Sequence, residues 1–353
     1  MKKIRVAIIG CGMIAESHAK AIAMDGRAEI VAAAYGTNEE KGRAFAEKFH
    51  VPKLVGDYHR LLNEPLDMVC ICTPSGLHAA CAVDFARAGV GVLCEKPLDI
   101  QSAAMTEMIR AAEESGVPLG CVFPNRTRVG AQRAKALLES GELGAMKIVE
   151  CQYRGYRSPS YFTSSKWKGT RAYDGGGCLM NQGIHAIDLM MYLTGDVARV
   201  VAQTGALGRE IEVEDTAAAL LAFENGAQGV IMGTTLSYIP ENGPEGDRIR
   251  IECERGSILY ADGNTTYYKN KKDDDFDVEQ IPLECAADVA GSGSAPENID
   301  MAGHCQIVSN FISAVLGEEE VLIPARSARR GVDLVLAIYR SAECGAWVDV
   351  TYE

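Results

Sequence analysis

The segment Lys3-Ile4-Arg5-Val6-Ala7-Ile8-Ile9-Gly10-Cys11-Gly12-Met13-Ile14-Ala15 decides how the amino-terminal half of the chain folds. Residues 3–9 form a short apolar run of strand-forming type. The run enters a G-x-G-x-x-A loop, a helical stretch covers 15–24, and a second apolar strand follows over 29–34. This strand–loop–helix–strand order is the one a dinucleotide-binding fold requires. Gly10 makes the tight turn, Gly12 admits a pyrophosphate, and the small Ala15 lets helix and strand pack closely. The pyrophosphate is then expected on the amino terminus of that helix.

The second strand ends without the expected acid. A site that prefers NAD usually places Asp or Glu there, bonded to the ribose 2′-hydroxyl. This chain has Tyr35-Gly36-Thr37-Asn38 instead. No carboxylate repels a 2′-phosphate, Thr37 and Asn38 are hydrogen-bond donors, and Lys41 and Arg43 are near in sequence. The cofactor is NAD or NADP, with NADP permitted rather than demanded.

Strands and helices continue to alternate. A helix over 38–49 precedes a buried parallel strand over 66–72. Thr73-Pro74-Ser75-Gly76-Leu77-His78 lies at that strand's carboxyl end, where open α/β sheets bind ligands. A helix over 78–88 stops at Gly89. A strand over 90–94 is closed by Glu95-Lys96-Pro97, Ser102 caps the next helix, which ends near Gly116, and 117–123 is the last strand of this half. The second half changes character. Strand-type runs at 145–153, 199–204, 216–223, 229–236, 248–254 and 256–260, with turn residues between them, predict a large, mostly antiparallel sheet. Lys269, Lys271, Lys272 and Asp273-Asp274-Asp275 read as a solvated hairpin. Helices over 303–316 and 327–345 close the chain. The fold class is therefore α/β. With 353 residues, two domains are expected, 1–123 for the dinucleotide and 124–353 for the substrate.

The second half carries its own concentrated signal, Gly175-Gly176-Gly177-Cys178-Leu179-Met180-Asn181-Gln182-Gly183-Ile184-His185-Ala186-Ile187-Asp188. The glycines let the backbone bend sharply and pass close to a ligand. In a helix, Asn181, His185 and Asp188 fall at i, i+4 and i+7 along one face. His185 is then placed for acid–base work near neutral pH. The plainer alternative is a histidine buried on an amphipathic helix.

Composition narrows the class. The formal net charge of −13 argues against nucleic acid and anionic membrane surfaces as partners. No run of 18 apolar residues predicts a transmembrane helix, and the amino terminus lacks a signal-peptide pattern. The 12 cysteines are scattered without C-x-x-C or zinc spacing, which suits reduced thiols in the cytoplasm and no metal site.

Together these motifs resemble the glucose–fructose oxidoreductase / inositol dehydrogenase family, called Gfo/Idh/MocA. The resemblance covers nearly the whole chain. It rests on Gly10-Cys11-Gly12-Met13-Ile14-Ala15, Thr73-Pro74 with His78, Glu95-Lys96-Pro97, and the run from Gly175 to Asp188. It implies an N-terminal Rossmann domain and a C-terminal α/β domain whose open sheet often forms the interface of a homo-oligomer. The implied chemistry is hydride transfer between a nicotinamide and a carbinol carbon of a sugar, inositol or related polyol. Lys96 matches the residue that polarises the reacting oxygen, and His185 matches the base. Asn181 stands where many members carry Asp, so it orients His185 or binds a substrate hydroxyl without supplying charge. The cofactor is expected on Gly10, Gly12, Met13, Ile14, Ala15, Tyr35, Gly36, Thr37, Thr73, Pro74, His78, Glu95, Lys96 and Trp167.

One further segment bears on the substrate. Residues 151–173 hold no Asp or Glu but carry Arg154, Arg157, Lys166, Lys168 and Arg171 among Tyr153, Tyr156, Tyr161, Phe162 and Trp167. This is a site for an anionic group such as a uronate, a phosphate or a nucleotide-sugar diphosphate. Its alternatives are the cofactor's own phosphates or a solvated face. Arg154, Tyr156 and Arg157, with Asn181 and His185, are the expected substrate contacts. Lys166, Lys168 and Arg171 are expected on the cofactor side or in a structural role. The expected function is an NAD(P)-dependent sugar or polyol dehydrogenase. A redox-neutral eliminating enzyme with tightly held cofactor and a non-enzymatic dinucleotide or sugar sensor stand as alternatives.

Overall fold

The computed structural model of the chain describes residues 3–239, 248–261, 263–272, 277–283 and 301–352. The chain forms two compact units, Met1–Pro124 with Ile299–Arg329, and Asn125–Asn298 with Arg330–Glu353. The first segment of the first unit ends at Pro124, and the chain returns to that unit over Ile299–Arg329.

In the first unit, β1 (Ile4–Ile9), β2 (Ala28–Ala34), β3 (Lys53–Val55), β4 (Met68–Ile71), β5 (Gly91–Cys94) and β6 (Leu119–Cys121) form a parallel six-stranded sheet. The connecting helices are α1 (Met13–Asp25), α2 (Glu39–Lys48), α3 (His78–Arg87) and α4 (Ser102–Ser115). Every residue of β4 and β5 is buried, as central strands covered on both faces require. The strand order is β3-β2-β1-β4-β5-β6. It reverses between β1 and β4, and such a switch point leaves a crevice at the carboxyl ends of the two strands. One expected helix start is corrected. Gln101 occupies the cap position of α4, and the Ser102 hydroxyl instead accepts from Arg329 Nη2 at 2.8 Å.

The second unit opens with α5 (Val129–Glu139), β7 (Met146–Arg154), α6 (Pro159–Thr163) and α7 (Ile184–Thr194). Its sheet adds β8 (Val197–Gly205), β9 (Thr216–Phe223), β10 (Gln228–Thr234), β11 (Arg248–Cys253), β12 (Gly256–Ala261), β13 (Asn264–Asn270) and β14 (Val278–Pro282), with β15 (Val348–Asp349) at one edge. The order is β14-β13-β12-β11-β7-β10-β9-β8-β15, antiparallel throughout except for the parallel pair β7–β10. Strand alternation sorts the two faces. Val149, Cys151 and Tyr153 are buried on the face covered by α7. Ile148, Leu220, Val230 and Met232 are exposed on the other. Lys269 ends its strand region paired with Glu142 at 3.1 Å, whereas Asp273, Asp274 and Asp275 of the expected hairpin lie outside the described residues.

Two helices follow, α8 (Met301–Val315) and α9 (Ala325–Cys344). α8 is fixed within the first unit by Arg27. Its guanidinium pairs with Asp25 at 2.8 Å and donates to the Ser309 and Ser313 hydroxyls at 3.0 and 2.9 Å. Among the described residues, no cysteine forms a disulfide, and no helix is long and apolar enough to cross a membrane.

Candidate active site

The first unit presents the carboxyl ends of β1 and β4. Gly10 has φ +97°, and a Cβ there would stand 2.5 Å from the Cys72 carbonyl oxygen, so only glycine makes this turn. Gly12 differs. It sits at the amino end of α1, and a Cβ on it would meet nothing within 4 Å. Met13 is exposed beside it, Ile14 is half-buried, and Ala15 is buried against the sheet. Across the switch point, Thr73 Oγ1 is buried with no hydrogen-bond partner among the described residues. Open space over a helix amino terminus and an orphaned hydroxyl at the neighbouring strand end fit a bound dinucleotide. Pro74 lies next to Thr73 on the same strand end.

At the end of β2, the Tyr35 ring is seated between Gly42 and Gly56. A Cβ on Gly42 would stand 2.5 Å from Tyr35 Cβ, and one on Gly56 3.1 Å from its hydroxyl. Gly36 follows with φ +66° and Thr37 is exposed. Asn38 is a helix cap, its Oδ1 accepting from the Lys41 backbone at 3.0 Å, and Arg43 pairs with Glu39 at 2.6 Å.

Lys96 follows β5, half-buried. Two of its neighbours were expected against the cofactor, and their burial corrects that reading. His78 is 1% exposed and bonds the carbonyls of Pro97 (2.8 Å) and Thr73 (3.0 Å), clasping two strand ends together. Glu95 is buried with Oε1 2.8 Å from His18 Nε2 and 3.9 Å from His304 Nε2, while its Oε2 accepts from the Lys96 amide at 3.2 Å. Burial works to raise the Glu95 carboxyl. The His18 hydrogen bond, with the charges of His18, His304 and Lys96, overcomes burial and brings it down to about 2. Lys96 thus stands in front of a buried, ionised carboxylate. Asp99 accepts from the amides of Ala79, Ile100 and Gln101 and fixes the loop that follows.

In the second unit the glycine run leads into a π-helical turn, Cys178–Gly183, and then α7. The glycines serve a purpose other than the expected approach to a ligand. Only Gly175 has a positive φ, +73°. A Cβ on Gly176 would lie 2.0 Å from the Tyr339 hydroxyl, and one on Gly177 1.7 Å from the Glu214 carbonyl oxygen. The buried Glu214 carboxylate accepts from the amides of Gly177 (2.8 Å) and Leu179 (3.0 Å) and from the Tyr339 hydroxyl (2.9 Å). Burial raises its carboxyl, opposed by those backbone bonds. Neither Glu214 nor Tyr339 stood out in the sequence. The available signal was an acidic pair, Glu214-Asp215, directly ahead of an apolar alternating strand.

The turn carries Asn181 and Gln182, and His185 is the second residue of α7, half-buried. Asn181 Nδ2 donates to Asp174 Oδ1 at 2.6 Å, and Gln182 Nε2 to the Tyr161 hydroxyl at 3.1 Å. Asp188 is drawn out of the expected trio, since Arg126 holds its carboxylate with two bonds of 2.6 and 2.8 Å.

The basic aromatic segment divides. Lys168 Nζ lies 3.9 Å from the centre of the Tyr161 ring and the Arg157 guanidinium 5.5 Å from it. Tyr156 is exposed, with Arg209 5.3 Å from its ring centre and Tyr238 5.1 Å away. Arg154 is corrected. Its neighbour Tyr153 and the paired Gly233 face the π-turn, with Leu179 Cδ2 2.6 Å from where a Gly233 Cβ would be. Arg154 therefore points to the opposite face of the sheet, where its Nη2 lies 3.9 Å from Met232 Sδ. Arg171 is structural, bound to Glu212. Trp167 is half-buried, its carbonyl accepting from the Thr170 hydroxyl at 2.6 Å. No group of three or more metal-ligating side chains occurs among the described residues.

Comparison with known proteins agrees with both halves. Residues 4–123 match the oxidoreductase family with NAD-binding Rossmann fold, and residues 131–259 match the GFO/IDH/MocA C-terminal domain. A D-apiose dehydrogenase of Paraburkholderia graminis is 31% identical over 355 residues, covering 99% of this chain and 90% of its own. A myo-inositol 2-dehydrogenase of Thermotoga maritima is 29% identical over 236 residues, 65% of this chain and 67% of its own. The WlbA dehydrogenase of Bordetella pertussis, solved in complex with NADH and UDP-GlcNAcA, superposes with a TM-score of 0.84 at 31% identity over 99% of this chain and 100% of that one. The chain belongs to the Gfo/Idh/MocA family and is an NAD-binding oxidoreductase.

Proposed function

From that membership we propose that the chain is a dehydrogenase of an anionic sugar derivative, with Lys96 and His185 as its acid–base groups. A nicotinamide dinucleotide bound at the carboxyl ends of β1 and β4 would supply the hydride acceptor or donor. His185 takes the proton of the carbinol hydroxyl, a task suited to an imidazole near neutral pH. The Lys96 ammonium donates to the reacting oxygen and favours its developing negative charge. Asn181 accepts from a substrate hydroxyl or from His185. Gly12, Met13 and Ile14 would hold the pyrophosphate, on the turn made by Gly10 and with Ala15 packing the helix against the sheet, and Thr73 and Pro74 would flank it at the neighbouring strand end. Gly36 and Thr37 would take the ribose, where no carboxylate excludes NADP.

The observation that carries the anionic substrate is the Tyr161 cluster. Its ring lies against Lys168 and Arg157, and its hydroxyl is bonded to Gln182, next to Asn181. Two cations and an aromatic surface joined to the turn that bears Asn181 suit a charged sugar. The UDP-GlcNAcA bound in the WlbA dehydrogenase complex supports the charged class, and the D-apiose and myo-inositol dehydrogenases among the relatives support a sugar or polyol substrate. We further infer a homo-oligomer formed through the exposed face bearing Ile148, Leu220, Val230 and Met232, since apolar patches of this kind mark contact surfaces. Work in the cytoplasm agrees with the absence of disulfides among the described residues.

The test is a panel of uronates, nucleotide-sugars, neutral sugars and inositols, assayed for NAD(P)H growth with both cofactors. On the best charged substrate, Arg157→Ala and Lys168→Ala are each expected to cost about 1.5–3 kcal/mol in kcat/KM, the scale of a lost hydrogen bond to a charged group. Its neutral analogue loses far less. Equal losses on both substrates would reject the anionic reading.

A further inference from the structure

Asp174 stands immediately before the glycine run and is buried. Its Oδ1 accepts from Asn181 Nδ2 at 2.6 Å, and its Oδ2 from the Gly169 amide at 2.8 Å. The Asn181 amide N–H in turn donates to the Gly177 carbonyl at 3.0 Å, so side chain and backbone of Asn181 are both fixed. His185 follows four residues later, across the junction between the π-helical turn and α7.

The bond to Asp174 settles which way the Asn181 amide points. An ionised carboxylate only accepts, so it takes the NH2 end, and the carbonyl Oδ1 is turned the other way as an acceptor. An amide alone has no charge to offer an imidazolium. An amide backed by a buried carboxylate does, because removal from water strengthens the carboxylate's field.

We infer that Asp174 is a positioning residue of the acid–base site: it fixes Asn181 as an acceptor and places a negative charge behind His185. The inference rests on the reading of His185 as the base. As His185 takes the substrate proton it becomes a cation, and Asp174 stabilises that state through Asn181. No proton passes to Asp174. Among the described residues, titratable and charged groups beside this pair include Tyr161, Arg157, Lys168 and Glu214. Burial and then the Asp174 charge raise the Tyr161 phenol, so it stays protonated near neutral pH. Arg157 and Lys168 rest against the Tyr161 ring, and Glu214 lies behind the turn.

The experiment compares Asp174→Asn, the exchanged pair Asp174→Asn with Asn181→Asp, Asp174→Ser and His185→Ala. Each is measured for the pH dependence of kcat and for thermal stability on a substrate found in the panel. Asp174→Asn is expected to lower kcat about tenfold or more. Its acid limb should move to lower pH by about half a unit or more, because the charge that favoured imidazolium is gone. The exchanged pair keeps one carboxylate and one amide with the donor reversed, and it should restore both the rate and the limb. Asp174→Ser still accepts from the Asn181 amide but carries no charge, so it must move the limb the same way, and it decides the matter should Asp174→Asn not fold. An unmoved limb in folded Asp174→Asn or in Asp174→Ser overturns the inference, as does an exchanged pair that folds but recovers neither quantity. If His185→Ala itself keeps full turnover, the parent reading has failed instead.

Discussion

Each unit has its own glycine segment, and the two are glycine for opposite reasons. At Gly12 a side chain would meet only open space. At Gly176 and Gly177 a side chain would collide with Tyr339 and Glu214, so the positions are bare because protein already fills them. The same residue borders open space in one unit and belongs to a tightly built support in the other. The supporting acids differ as well. Glu95, behind Lys96, is held ionised by His18, whereas Glu214, behind the π-turn, is raised by burial and held by backbone amides and a phenol.

The largest effect that separates the two segments is on stability. Gly177→Ala forces a methyl group onto a backbone carbonyl that cannot swing aside. It should destabilise the protein by about 3 kcal/mol or more, the upper range for overpacking. In a domain of this size that lowers Tm by roughly 6–12 °C. Gly12→Ala should leave Tm within about 2 °C of the parent and weaken dinucleotide binding in calorimetry. If Gly12→Ala unfolds the chain, or Gly177→Ala is silent, the contrast between the segments is false.

A smaller effect sharpens the contrast between the acids. The folded-state value of Glu95, about 2, lies below its ordinary 4.5. Its contribution to stability is therefore fully present above pH 4.5 and is lost as pH falls toward 2. Glu214 is shifted the other way and acts with the opposite sign, costing stability as pH rises above the ordinary carboxyl range. Glu95→Gln should flatten the acid side of the Tm–pH curve between these values while leaving the neutral side parallel to the parent. An acid limb as steep in the variant as in the parent would show that Glu95 is not the group that titrates.

The contrast also explains what the sequence disclosed. The first unit was legible because its signals are local. The turn at Gly10, the entry of α1 and the apolar runs of β1, β4 and β5 each lie within a few residues, and parallel strands buried on both faces read as continuous apolar stretches. The second unit's site was half legible. The run itself was visible, but the partners that make Gly176 and Gly177 necessary come from Glu214 and Tyr339, far along the chain. Arg154 was misplaced for a subtler reason. Its neighbours Val149, Cys151 and Tyr153 alternate as an inward face, and that parity sends Arg154 outward. His78 and Glu95 were recognised by motif, yet burial turned both into supports for the strand ends. The return of the chain through α8 had no local signal, because it depends on Arg27 meeting Ser309 and Ser313.

The most direct measurement is the single-turnover and steady-state formation of NAD(P)H by the parent, His185→Ala and Lys96→Ala on one substrate from the panel. Binding of the dinucleotide is followed in parallel. Loss of an acid–base group is expected to lower kcat by about 100-fold or more in each variant, with dinucleotide affinity unchanged in His185→Ala. Near-parental turnover in both variants would contradict the assignment of Lys96 and His185 as the groups that carry the reaction.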